Sequence, residues 1–272
     1  MTEPAQRTPQ WSRPDDDPAR VVLGVRDLSK SFGDLRAVSG ASFDVRAGEV
    51  TSLVGPNGAG KTTVFNLVAG ALRADSGSVT YQGVELLGQP VYARAGLGIG
   101  RTFQDSRLIL GLASWENVAV GFQRQTGETL RSLMVHPVKS ARFRARLRSS
   151  ALEVLGQYEM EHLADIAPQH LSYGERKLIS LAQAEATGAS LLLLDEPTSG
   201  LDRPTLDRLL RRLQALIRGG RTVLLVEHNM QLVRQFSDQM IFLHHGAVVA
   251  EGRPDDLMSR GDLRDLYFGV AA

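Results

Sequence analysis

The run Gly55-Pro56-Asn57-Gly58-Ala59-Gly60-Lys61-Thr62-Thr63 has the residue types and the spacing needed to hold a chain of phosphates. Gly55, Gly58 and Gly60 let the backbone take up left-handed angles, so that successive N–H groups turn inward around phosphate oxygens. Lys61 supplies a mobile cation for the β- and γ-phosphates, and the Thr62 hydroxyl is the kind of hard-oxygen ligand that Mg²⁺ prefers. Such a loop needs a strand feeding it and a helix leaving it, because the helix adds the positive end of its dipole to the anion site. Both are present: residues 50–54 read as a strand and residues 64–69 as a helix. A glycine-rich turn matching by chance would not need both flanks with Lys and Thr in register.

Further candidates lie at later strand ends. Leucines 191–194 precede Asp195 and Glu196, which places both carboxylates at the C-terminal end of a buried strand, where α/β sheets build ligand sites. Asp195 suits the Mg²⁺ shell, directly or through water, and Glu196 is placed to polarise a water in line with a γ-phosphate. Alone, an Asp-Glu pair after a strand reads as a helix N-cap with a first-turn acid; a phosphate loop on a neighbouring strand favours the catalytic reading. His228 follows Glu227 at the end of the apolar run 222–226, where a neutral imidazole could hydrogen-bond the γ-phosphate or the attacking water. Gln104 ends the strand-like stretch 96–103, and its amide could touch both Mg²⁺ and water. A lone Gln or His at a strand end is more often a polar terminator, so only the ensemble raises these two. Nothing singles out His136, His162, His170, His244 or His245.

Positioning these groups takes alternating strands and helices with one interruption. Residues 1–20 carry Pro4, Pro9, Pro14 and Pro18 and the acids Asp15, Asp16 and Asp17, the composition of a disordered tail. Residues 21–25, 41–45 and 78–81 read as strands, with a turn at 31–34. Phe32 in that turn is equally an anchoring aromatic or a ring placed to stack on a nucleobase. From about residue 105 the pattern becomes helical over 114–122, 140–155 and 159–166, a helical insert in an α/β chain. Within it Lys139, Arg142, Arg144, Arg146 and Arg148 run without an acid. A solvated helix face is one reading of that run, and a contact with a membrane subunit or anionic headgroups is the other. Alternation resumes with strands at 191–194 and 222–226, helices at 204–217 and 230–236, strand pieces at 240–243 and 247–250, and a polar helical end. Strands as apolar as these belong inside a parallel sheet covered on both faces.

Composition removes other classes. The chain has 272 residues and 43% apolar content, enough for a sizeable core. Thirty-one basic against 30 acidic residues leave a net charge of +1, so no global field draws it to nucleic acid and none is expected as a partner. The absence of cysteine excludes disulfides, thiolate zinc sites and iron–sulfur clusters, and is compatible with a reducing cytosol. No apolar run approaches the ~18 residues of a membrane span, and residues 1–20 lack a signal-peptide core. Work at a membrane would need another subunit to hold the chain there.

Together these residues resemble the ATP-binding cassette (ABC) ATPases. Gly55 to Thr62 is similar to the family's Walker A motif, Leu191 to Glu196 to Walker B with the catalytic glutamate, and Gln104 to the Q-loop. Leu171-Ser172-Tyr173-Gly174-Glu175 is similar to the signature, Ser199-Gly200-Leu201-Asp202 to the D-loop and His228 to the switch histidine, while Phe32 falls where the family keeps its base-stacking aromatic. The signature departs from the commonest form at Tyr173 and Glu175; Ser172 and Gly174, which open a helix and form an anion site, are retained. The resemblance implies an α/β P-loop NTPase core with a mostly parallel sheet, an antiparallel β subdomain and a helical subdomain at about 105–185, all within one domain spanning 21–272. It implies ATP and Mg²⁺ as cofactors. Lys61, Gln104, Glu196 and His228 would act in catalysis and Thr62, Gln104 and Asp195 on the metal. Phe32, Gly55, Pro56, Asn57, Gly58, Ala59, Gly60, Lys61, Thr62, Thr63, Ser172, Gly174 and Asp202 would hold nucleotide.

In that family two ATPs are sandwiched between two subunits, so a second ATPase chain, identical or paralogous, is an expected partner. Gly98-Ile99-Gly100-Arg101-Thr102-Phe103-Gln104, Arg107-Leu108, Trp115-Glu116-Asn117-Val118, Glu227-His228-Asn229-Met230 and Tyr267-Phe268-Gly269 are similar to ATPase subunits of branched-chain amino-acid importers. That implies transmembrane permeases, a solute-binding protein acting indirectly and a peripheral place on the cytoplasmic face of the membrane. Related importers serve urea and amides. Non-transport relatives acting on DNA or ribosomes usually carry a coiled coil, zinc modules or a second ATPase half, none of which is seen in this sequence.

Overall fold

Every residue of three apolar runs is buried, and these runs form the centre of the main sheet. The protein is described from a computed structural model covering residues 20–102, 108–122 and 137–268. With strands numbered in chain order, the sheet contains β3 (Val50–Val54), β6 (Ile99–Arg101), β7 (Leu191–Asp195), β8 (Thr222–Val226), β9 (Gln239–His244) and β10 (Ala247–Gly252). They lie in the order β10-β9-β3-β8-β7-β6, parallel except for β10. The strand feeding the phosphate loop is therefore not adjacent to the strand carrying Asp195 and Glu196. The sequence expectation of neighbouring strands is corrected here: β8 lies between them, because the chain crosses over after β7 to fill that gap.

A second sheet is antiparallel, in the order β2-β1-β4-β5, from β1 (Val21–Phe32), β2 (Leu35–Arg46), β4 (Ser76–Tyr81) and β5 (Val84–Glu85). The first two strands run much further than the apolar segments 21–25 and 41–45. Their polar outer halves pair with each other up to a two-residue turn at Gly33-Asp34, where Gly33 has φ 59°. Phe32 is thereby carried to the tip of a hairpin.

Helix α1 (Lys61–Ala69) lies between the sheets. Its Phe65, Leu67 and Val68 share one buried cluster with Leu23, Val25 and Tyr81 of the antiparallel sheet and Leu53, Leu193 and Leu224 of the main sheet. Residues of opposite parity, Leu192, Leu194, Val223 and Leu225, face a second cluster with α3 (Ser114–Val120), α4 (Pro137–Gly156), α5 (Tyr173–Ala186) and α6 (Arg203–Arg218). A third cluster packs α7 (Met230–Phe236), α8 (Pro254–Ser259) and α9 (Gly261–Phe268) on Val54, Met240 and Phe242.

Two stretches differ from the sequence reading. The strand expected at 96–103 is a helix, α2 (Val91–Gly96), a turn with Gly98 at φ 94°, and then only three strand residues. Pro90 starts that helix without needing a donor. The helical reading of 159–166 gives way to a 3-10 turn at Glu161–Leu163. Residues 1–19, Gln104, Arg107 and Gly269 lie outside the described residues. Part of the basic run is internal bracing: Arg144 pairs with Glu116 at 2.9 Å and sits over the Trp115 ring, and Arg148 pairs with Asp165 at 2.6 Å.

Arg94 of α2 anchors the end of α1. It is 3% exposed, and its Nη1 donates to Leu67 O (2.9 Å) and Val68 O (2.6 Å) while Nη2 donates to Leu86 O (2.7 Å). Leu67 O and Val68 O belong to the last turn of α1, where carbonyls lack intrahelical partners, and Leu86 O lies in the loop before α2. Arg94→Ala is expected to cost about 2–3 kcal/mol of stability, read as a lower urea midpoint; an unchanged midpoint would show that water replaces the guanidinium freely.

Candidate functional site

The phosphate loop is glycine-rich for two separable reasons. At Gly55 (φ 150°) and Gly60 (φ 97°) a Cβ would lie 2.1 Å from Leu243 O and 2.4 Å from Ala37 O, so neighbouring backbone excludes any side chain. At Gly58 (φ 81°) nothing lies within 4 Å, and conformation alone selects glycine. Gly60 is the N-cap of α1, whose first N–H groups have no partner within the helix. The Lys61 ammonium, 8% exposed, donates to Gly55 O (2.7 Å) and Pro56 O (2.9 Å). Burial lowers its pKa, and the charge of Glu196 opposes that shift.

The loop opens onto a cavity of about 400 Å³. Its walls are Phe32, Leu35, Arg36 and Ala37 from the β1–β2 hairpin, loop residues Asn57, Gly58, Ala59, Gly60, Lys61, Thr62 and Thr63, and Glu196 and His245. Inward amides, a lysine, a helix start and the half-exposed Phe32 ring, 47% accessible, form a donor set that fits a nucleoside polyphosphate. Among the described residues no group of three His, Cys, Asp or Glu side chains could hold a metal by itself. A Mg²⁺ here would draw on Thr62, Asp195, phosphate oxygens and water, the usual hard-oxygen arrangement.

The carboxylates sit at the C-terminal end of β7. Asp195 is 4% exposed; burial raises its pKa, while Arg101 and Lys177 oppose the rise and Glu196 adds to it. Asp195 borders a small pocket with Thr102 and Lys177, and it is Glu196 that reaches the phosphate cavity. Glu196 has φ 44°, a conformation that costs energy for a residue with a Cβ and persists only when its surroundings over-determine it. Its N–H donates to Val226 O at 3.0 Å. His228 Nδ1 lies 3.9 Å from Glu196 Oε1. With β8 between β3 and β7, Glu227 and His228 emerge between the phosphate loop and the Asp195-Glu196 pair.

Sequence reasoning passed over Glu227, which has no exposure. Its Oε1 accepts from Thr198 N (3.4 Å) and Thr198 Oγ1, and its Oε2 from His228 N (3.1 Å) and Asn229 N (3.3 Å). An acid directly after an all-buried strand was the available signal, since a buried carboxylate must be satisfied. On the other side, the Tyr267 hydroxyl of α9 donates to His228 O at 2.7 Å. The Tyr267 ring meets Phe242 edge-on with centroids 6.4 Å apart. Burial and the charge of Glu227 raise the Tyr267 pKa, which keeps the phenol a donor.

The helix start at Ser172 explains Glu175. Ser172 Oγ accepts from Glu175 N (3.3 Å) and Glu175 Oε2 accepts from Ser172 N (2.8 Å), a reciprocal capping box. The glutamate charge is thus turned onto its own helix end, a role the S-x-x-E spacing could have signalled but the sequence reading did not draw. Tyr173 lies against Gly200, where a Cβ would come 3.0 Å from its ring, and Gly174 is pressed close to Thr205. Asp202 is the N-cap of α6. Ser172, Gly174, Asp202 and His228 are not among the residues lining the phosphate cavity.

Residues 38–199 match the family model described as ABC transporter. The high-affinity branched-chain amino acid transport ATP-binding protein BraF of Pseudomonas aeruginosa is 34% identical over 258 residues, covering 93% of this chain and 100% of the relative. A nucleotide-free ATP-binding cassette from an ABC transporter superposes with a TM-score of 0.78 at 27% identity, over 91% of this chain and 99% of that one. A cassette solved as a dimer in a post-hydrolysis state, bound to ADP and Pi, gives 0.72 at 26% identity, over 85% and 98%. With the family model spanning more than half of the chain and a relative matched along its full length, the chain belongs to the ABC transporter family.

Proposed function

We propose that this chain is the ATP-binding and ATP-hydrolysing subunit of an importer, and that its solutes are branched-chain amino acids. The observation that carries the reading is the shared cavity, in which Lys61, Thr62, Phe32 and Glu196 converge at the C-terminal edge of a parallel sheet. The loop amides and Lys61 hold the β- and γ-phosphates, and Phe32 offers its ring to the base. Glu196 accepts a proton from the attacking water, and His228 orients that water or the γ-phosphate. Thr62, Asp195 and Gln104 would hold a Mg²⁺, which would supply charge neutralisation on the phosphates.

The helix start at Ser172 and Gly174 stands apart from this cavity, which supports its use on the nucleotide of a second ATPase chain, with Asp202 at the same junction. Closing of that dimer would drive transmembrane permeases fed by a solute-binding protein, and attachment to the cytoplasmic face of the membrane follows from that partnership. The printed name of the Pseudomonas aeruginosa relative favours branched-chain amino acids over urea, amides or another small solute.

General-base catalysis contributes roughly 10² to 10⁴ in rate, and Glu196→Gln should lose about that much turnover while still binding ATP and accumulating a closed dimer on size-exclusion chromatography; near-normal hydrolysis would refute the assignment. Lys61→Ala should weaken ATP binding roughly 10- to 100-fold in a calorimetric titration, and undiminished affinity would count against the loop. Gly60→Ala, which drives a Cβ onto Ala37 O, should weaken ATP binding without removing any charge.

A further inference from the structure

We propose that Lys177 is a positioning residue that couples the helix start gripping one nucleotide to the loop carrying the general base for the other; the coupling rests on the two-chain sandwich proposed above. Lys177 lies in the second turn of α5, on the helix opened by Ser172 and Gly174. Its ammonium, 8% exposed, donates to Glu196 O at 2.6 Å and Ser199 O at 2.8 Å. A buried ammonium is tolerated only when such partners replace its water. The two carbonyls stand at opposite ends of the short loop from Glu196 to Ser199, so one cation spans its chord.

The clamp explains how Glu196 can persist at φ 44°. Its N–H is tied to Val226 O on one side, and its carbonyl on the other accepts from Lys177 at 2.6 Å and, more weakly, from Ser199 N at 3.3 Å. Relaxing the backbone toward ordinary angles would break one of these bonds, and the carboxylate would turn away with it. The Lys177 ammonium also lies 5.4 Å from the centre of the Tyr173 ring, and that ring bears on Gly200. The beginning of α5 therefore touches the catalytic loop at Glu196, Ser199 and Gly200, and touches α6 where Gly174 meets Thr205. A shift of this helix start when Ser172 takes hold of a partner's phosphate is passed by rigid contacts to the carboxylate serving the chain's own phosphate. Tyr173, one of the two residues that depart from the usual signature, is part of that strut. Lys177 does not line the phosphate cavity, so its effect falls on rate and not on nucleotide binding.

The test compares Lys177→Met, which keeps the stem and removes the donors, with Lys177→Arg, which keeps charge and donors. ATP turnover, ATP affinity, the Hill coefficient and the thermal midpoint are measured on the full chain, with Glu196→Gln as the dimer control. Misplacing a reacting group by about an ångström costs up to ~10²-fold, and Lys177→Met should turn over roughly 10- to 100-fold more slowly at unchanged ATP affinity. Its Hill coefficient should fall to that of independent sites, and Lys177→Arg should recover much of both. Lys177→Met that keeps rate and cooperativity overturns the proposal. So does a loss of ATP affinity in step with the thermal midpoint and without rescue by Arg, since that is the mark of a structural role. If Glu196→Gln forms no dimer with ATP, the sandwich reading fails together with the coupling; a normal dimer beside a cooperative Lys177→Met overturns the coupling alone.

Discussion

A carboxylate sealed from water holds the reacting loops together. Glu227 leaves the central strand β8 with no exposure, and an uncompensated charge there would cost several kcal/mol. Satisfying it requires donors at both carboxylate oxygens, and the chain supplies them from Thr198 on one and from His228 and Asn229 on the other. Meeting that demand draws the loop after β7 and the start of α7 onto one point. The knot ties His228 to the loop after β7, and the bonds of Glu196 to Val226 and Lys177 and of His228 to Tyr267 complete the set.

Strain is the second constraint. Glu196 with φ 44° departs from relaxed backbone, and beside it Gly55 and Gly60 take conformations and close packing that only glycine accepts. The Leu243 and Ala37 carbonyls exclude a side chain at the glycines, and Lys177 and Val226 hold the glutamate. Pre-set geometry of this kind removes reorganisation from the reacting step.

The sequence made the centre of the fold and the phosphate loop plain, since β7 and β8 carry apolar runs that end in Asp195 and Glu227, and the spacing of Gly55, Gly58, Gly60 and Lys61 has few structural solutions. Strand order was not legible. Whether β7 or β8 lies next to β3 depends on where a crossover finds space, and hydrophobic pattern carries no trace of that. The extent of β1 and β2 was hidden for a related reason: their outer halves are polar and are held by ladder hydrogen bonds and the Gly33 turn. Glu227 and Lys177 were overlooked because a lone charge at a strand end or on a helix reads as surface until its partners, distant in sequence, are known. Glu175 differs, for its partner Ser172 is only three residues away, so the capping box could have been read from spacing alone and was missed.

The Tyr267 hydroxyl reaches back from the last described helix to the carbonyl of His228. A chain clipped ahead of Tyr267 would keep every atom of the phosphate cradle and lose this latch. Helix α9 is therefore tied to the turn after β8, and damage to that helix would reach the His228 backbone without touching a residue that lines the phosphate cavity.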